Sequence, residues 1–251
     1  MSAFLAVATL AVVVGWTASV ISVLWRAHRS PREARVAVVS GIVLAGWAIL
    51  EIALARAGAF LGSPGQRVPP VGINLFVSVL LMALSLGAAP SLRSLVSRQS
   101  GIIRLQGWRV AGLLLLTHTA LGHVPPLFGL PAGLGDILIG IAAFGVARAA
   151  DYPQGRRRAL LWNALGVLDL VVAVTLGITT SPGPTQIFHT VPTSAMLAVY
   201  PLTLVPVFAV PLALALHGVS VWQLLRGRWA AKTEAPPDRA GFGIAASKMV
   251  A

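Results

Sequence analysis

Cysteine is absent from the chain, which excludes disulfides, thiolate metal sites, iron–sulfur clusters and cysteine nucleophiles. Acidic side chains are scarce, seven in 251 residues, and charged residues of both signs make up only 10%. A soluble domain keeps roughly 25% of its residues charged, so water is not the solvent for most of this sequence. No His-Glu-x-x-His pair, Walker loop or nucleophile elbow occurs, and the common soluble-enzyme signatures are silent. The net charge of +12 would suggest nucleic acid in a soluble protein. Here the basic residues sit at the ends of apolar runs, without the polar basic face that nucleic-acid readers present, and no nucleic-acid partner is expected.

What is abundant is apolar. Hydrophobic residues make up 57% of the chain and the mean hydropathy is +0.84, so the expected partner is a lipid bilayer. A hydrocarbon core of about 30 Å takes roughly 20 apolar residues per helix. Runs separated by Pro, Gly or Arg clusters predict seven transmembrane helices near residues 3–25, 36–60, 71–89, 107–126, 131–149, 158–179 and 198–225. The first run starts at Ala3 with no basic residue before it and continues to Trp25, too long and wrongly flanked for a cleaved leader. The predicted fold class is all-α, a polytopic membrane helical bundle over residues 1–228. Residues 229–251, with Pro236, Pro237 and Gly241 among small and charged residues, read as a disordered cytoplasmic tail.

Loop charge orients the bundle. Arg26, Arg29, Arg32 and Arg35 follow the first span, Arg93, Arg98, Arg104 and Arg109 the third, and Arg148, Arg156, Arg157 and Arg158 the fifth. Arg226, Arg228, Lys232, Arg239 and Lys248 follow the seventh, whereas the alternate loops hold only Arg56 and Arg67. By the positive-inside rule the amino terminus is outside and the carboxyl terminus cytoplasmic. Trp25, Trp108, Trp162, Trp222 and Trp229 fall at ends on that same side, as interfacial indoles do. The expected location is a cell membrane, multi-pass, of the bacterial inner-membrane type. The stretch from Leu92 to Arg104 mixes apolar residues with Arg and Ser, and reads either as a surface amphipathic helix or as a solvated loop.

Ionisable groups within spans are expensive, about 2.5 to 3.5 kcal/mol each on insertion scales, and are candidate functional groups by default. They are Glu51, His118, Asp136, Asp169 and His217, with Asn163, Arg56, His123 and Arg109 nearer the ends. Counted from the Arg-marked boundary, His118, Asp169 and His217 each lie roughly 12 to 15 Å deep and form one layer. Asp136 and Glu51 lie nearer the outside and Asn163 nearer the inside. For Asp136 helix capping is an alternative role, and for the histidines interhelical hydrogen bonding is. The segment from His123 to Asp136, rich in Pro and Gly, reads as a turn able to re-enter the membrane, and Pro201, Pro206 and Pro211 break the seventh span.

A retinal Schiff base needs a lysine in the seventh span, and the only lysines, Lys232 and Lys248, lie beyond it, so that chemistry is excluded. The only Pro-Gln pair, Pro153-Gln154, lies in a loop instead of a helix, which separates the chain from the PQ-loop sugar transporters. The leading expectation is a transporter or a pathway for protons or a small solute, using Asp169, His118, His217, Asp136, Glu51 and Asn163. One alternative is a membrane-embedded b-type haem on His118 and His217, or a divalent metal on these and Asp169. Another is a non-catalytic accessory subunit whose polar groups fasten helices. Substrate and oligomeric state are not encoded in any readable motif.

Overall fold

A computed structural model describes residues 3–63, 66, 68–88 and 98–226 of the chain. The expected tail at 229–251, and residues 92–97 of the expected surface stretch at 92–104, lie outside these residues.

The described residues are helical throughout their regular elements: α1 (Ala3–Ala27), α2 (Pro31–Arg56), α3 (Pro70–Ala88), α4 (Gln99–Leu105), α5 (Gly112–Ala120), α6 (Pro126–Ala147), α7 (Arg156–Thr179) and α8 (Val210–Arg226). Local sequence sets several of the boundaries. At the start of α2, Ser30 accepts from the Glu33 N–H at 3.2 Å while the Glu33 carboxylate accepts from the Arg29 N–H at 2.7 Å, with Pro31 as the first helical residue. This is a variant of the reciprocal capping box. Pro126 opens α6 in the same favoured position, so the stretch from Pro126 to Asp136 is helix and the connection shrinks to residues 121–125. The re-entrant turn expected there is corrected accordingly, and Asp136 lies well inside α6, where capping has no role.

Among the described residues six helices are long and apolar enough to cross a membrane: α1, α2, α3, α6, α7 with its preceding turn, and α8 with its preceding turn. Their outer surfaces carry Phe4, Ile42, Phe76, Leu138 and Leu161, all exposed. Helices that are hydrophobic all round belong in lipid, and the architecture is that of a multi-pass membrane helical bundle.

The fourth expected span, near 107–126, is built differently. Residues 99–120 form one helical run in three pieces, α4, a 3-10 segment from Gln106 to Ala111, and α5. The run reaches roughly 36 Å from the two helical rises. A 3-10 turn aligns residues three apart on one face, so Gln106 and Arg109 both point inward, 1% and 0% exposed. The tight segment fits because glycines line the contact. A Cβ on Gly140 of α6 would stand 2.7 Å from the Val110 nitrogen, and one on Gly112 would stand 2.6 Å from the Gly133 carbonyl oxygen. Gly129 and Gly133 continue the same face of α6 against Thr119 and Leu116 of α5. Small residues that let backbones approach are the usual adhesive between helices in lipid.

The last span starts late. Residues 200–203 are turns, 205–209 form a π turn, and α8 follows, with the Val210 N–H bonded to the Val205 carbonyl five residues back. Pro206 and Pro211 lack the N–H groups that a regular α-helix would use here, and the wider turn accommodates their loss. The apolar core is divided. One cluster joins α1 and α2 to the last span through Trp16, Leu44, Ala48 and Phe208, and a second joins α6, α7 and the end of α8 through Ala143, Trp162 and Leu224. A polar network runs along the inner face of α7 and α8.

A buried arginine network as the candidate site

Arg109 stands at the centre. Its side chain is fully buried, and its guanidinium has only donors to offer. Nε donates to Asp136 Oδ1 at 2.7 Å, Nη2 donates to Asp169 Oδ2, and Nη1 donates to the Gly166 carbonyl at 3.3 Å. Nη1 also lies 3.3 Å from His217 Nε2. Facing a donor-only group, His217 Nε2 must accept, so the ring proton sits on Nδ1 and is donated to Asn163 Oδ1 at 2.9 Å. The Trp162 ring lies against the imidazole with centroids 4.9 Å apart.

From Asn163 the chain of bonds continues without a gap. Asn163 Nδ2 donates to Ser220 Oγ at 2.9 Å, Ser220 Oγ to Gln99 Oε1 at 2.7 Å, and Gln99 Nε2 to Gln223 Oε1 at 2.8 Å. All four of these side chains are essentially inaccessible to solvent. Burial without partners would be prohibitive, and here each donor finds an acceptor. The amides of Asn163 and Gln99 are poor proton carriers, so this chain fixes the His217 tautomer and the pose of Arg109. The two carboxylates alone in the cluster keep partial exposure, 17% for the Asp136 side chain and 13% for that of Asp169.

Glycine again sets the geometry. A Cβ on Gly135 would fall 1.7 Å from Asp169 Oδ1, and one on Gly166 would fall 2.4 Å from His217 Cε1. The carboxylate of α7 and the imidazole of α8 occupy the room that two missing side chains leave.

The expected residues are thus sorted by the fold. Asp136, Asp169 and His217 meet at Arg109, and Asn163 holds His217. Arg109, expected at a cytoplasmic helix end, is instead the hub inside the bundle. His118 leaves the expected layer: it lies nine residues beyond Arg109 along the run, roughly 13 Å, and its Nδ1 is 3.1 Å from His123 Nδ1. Its Nε2 is buried without a hydrogen-bond partner among the described residues. Glu51 belongs to a second cluster that ties α2 to α3. It accepts from Trp47 Nε1 at 2.9 Å and from Asn74 Nδ2 at 3.2 Å, and neither Arg56 nor Arg109 pairs with it among the described residues. Arg56 lies over the Tyr200 ring instead.

Sequence reasoning did not single out Gln99, Gln106, Ser220, Gln223 or Gly166. A signal was available: Asn163, Gly166 and Asp169 on α7, and His217, Ser220 and Gln223 on α8, recur every third residue and so keep to one side of each helix. As to metal or haem, both ring nitrogens of His217 are engaged by protein groups, and His118 faces a different partner. No three His, Cys, Asp or Glu residues are placed to hold a metal ion among the described residues. The arrangement does not fit the haem or metal-triad reading.

A family model described as a domain of unknown function (DUF8737) matches residues 68–225. The match spans more than half of the chain and contains every residue of the Arg109 network, while α1, α2 and Glu51 precede it; the chain belongs to that family. No curated protein and no solved structure matches it.

Proposed function

For this member of the DUF8737 family we propose transport across a cell membrane, with Asp136 and Asp169 as exchangeable carboxylates and Arg109 as their shared counter-ion. One observation carries the reading: a single buried guanidinium is set between two carboxylates from different helices, both of them partly open. With both aspartates ionised and His217 neutral, the cluster holds one negative charge in excess. At membrane depth such a charge is costly. A proton or a small cationic solute balances it, and release of that proton or solute restores it. Binding and discharge at this point are what a carrier requires.

The proposal includes seven crossings, with the run 99–120 as the fourth, an outer amino terminus and a cytoplasmic carboxyl terminus, in a membrane of bacterial inner-membrane type. Removing Arg109 from the cytoplasmic count leaves the alternation of basic loops intact. The rival is a fastening role, in which the network only holds helices together.

The two are separated by flux. In proteoliposomes under an imposed pH gradient, wild-type protein should pass protons or exchange them for a co-supplied solute, and Asp169→Asn should fall to the rate of protein-free liposomes. Asparagine can still accept from Arg109, so elution on size exclusion should be unchanged. Equal flux in wild type and variant would remove Asp169 from any transport role.

A further inference from the structure

A groove of about 850 Å³ lies on the outer face of the bundle between α1 and the run 99–114, away from the Arg109 network. Its α1 wall sets the small residues Ala11, Gly15 and Ser19 beside the Trp16 ring, and its other wall includes Trp108 and Leu114. The elements run antiparallel: Gly101 lies beside Val23, and Trp16 Nε1 donates to the Leu105 carbonyl at 2.8 Å. Arg104 therefore enters the half of the groove nearer Arg26, and Leu114 lies in the other half. Along α1 the lining extends from Ala8 to Val23, roughly 22 Å of helix, against roughly 15 Å of hydrocarbon in one leaflet.

Arg104 is exposed and forms no ion pair among the described residues. An unpaired guanidinium at the edge of an apolar, lipid-facing groove draws an anion, and its long stem can reach toward the headgroup layer. The groove accepts a chain of methylenes, and its charged end accepts a phosphate. The geometry points to a binding site for an anionic phospholipid, with one acyl chain in the groove and the phosphate on Arg104. Because α1 precedes the residues matched by the family, the site is formed by the family domain together with the preceding hairpin.

Trp16 and Trp108, stacked with centroids 4.3 Å apart, line the groove and report on it. The full chain is reconstituted in liposomes containing brominated phosphatidylglycerol or, at the same mole fraction, brominated phosphatidylcholine, and tryptophan quenching is compared. The wild type should prefer the anionic lipid about fivefold, the effect of one basic residue at an anionic surface. Arg104→Gln should abolish that preference while leaving background quenching of the other tryptophans in place. Gly15→Leu should lower quenching by both lipids, since a Cβ at Gly15 meets nothing within 4 Å and the leucine can project into the groove without disturbing the fold. Equal quenching by the two lipids in the wild type, or a preference retained in Arg104→Gln, overturns the assignment. So does a Gly15→Leu variant with unchanged quenching and reduced cross-linking between copies, which would make the groove a protein interface.

Discussion

Arg109→Leu should lower stability by about 3 to 5 kcal/mol, the usual consequence of removing one partner from a buried ion pair. The loss is large because four acceptors depend on one side chain: Asp136, Asp169, the Gly166 carbonyl and His217 Nε2. Thermal unfolding of detergent-solubilised protein, followed by fluorescence-detected size exclusion, reads this directly. Arg109→Lys should recover only part of the loss, since an ammonium is a single point of charge and cannot span the acceptors that the planar fork reaches together. A variant with Arg109, Asp136 and Asp169 all replaced by leucine should regain most of the stability, because an apolar substitute for a whole buried ion cluster is often neutral or better. That triple variant should carry no flux. Stability at the wild-type level in Arg109→Leu would mean that the guanidinium is not the hub of the bundle.

The second large effect comes from a methyl group. Gly135→Ala places a Cβ 1.7 Å from Asp169 Oδ1 and 2.7 Å from its Cγ, distances at which the carboxylate must move away from Arg109. Overpacking of this kind costs about 1 to 3 kcal/mol. Gly145→Ala, on the same helix, meets nothing within 4 Å and should gain up to about 1 kcal/mol from the better helix propensity of alanine. The two substitutions should therefore differ by about 1 to 4 kcal/mol in thermal denaturation, with loss of flux confined to Gly135→Ala. Indistinguishable melting curves would show that Asp169 adapts freely and that its position is not set by α6.

The contrast between Gly135 and Gly145 also shows where the sequence stops being informative. Composition was enough for an all-helical, lipid-embedded chain, because the length and apolarity of α1, α2, α3, α6 and α7 follow from hydropathy alone. The run 99–120 was harder. Gln99, Arg104, Gln106 and Arg109 are polar enough to resemble a connection, and only the 3-10 turn, which directs Gln106 and Arg109 inward together, makes that stretch compatible with the interior. That Asp169 is a polar group inside the bundle was legible from its isolation among apolar residues. Its partner was not, since pairing depends on the rotation of α6 and α7, and that is set by contacts such as Gly135 against Asp169. Depth counting puts His118 beside Asp169 only if the fourth span starts near Arg109; the run starts at Gln99, so His118 lies roughly 13 Å beyond the Arg109 level and meets His123 instead.

The row of bonds from Arg109 to Gln223 has one more property. Every proton in it points the same way, from the guanidinium toward the end of α8. No link can be reversed alone, because turning the Asn163 amide would set two acceptors or two donors face to face with its neighbours. The row is an array of arrows whose direction is fixed at its start by a guanidinium that can only donate. Should His217 take up a second proton, Nε2 could no longer accept from Arg109, while Nδ1 would still donate to Asn163, so the break falls at the guanidinium and the roughly 9 Å of α8 to Gln223 keeps its order.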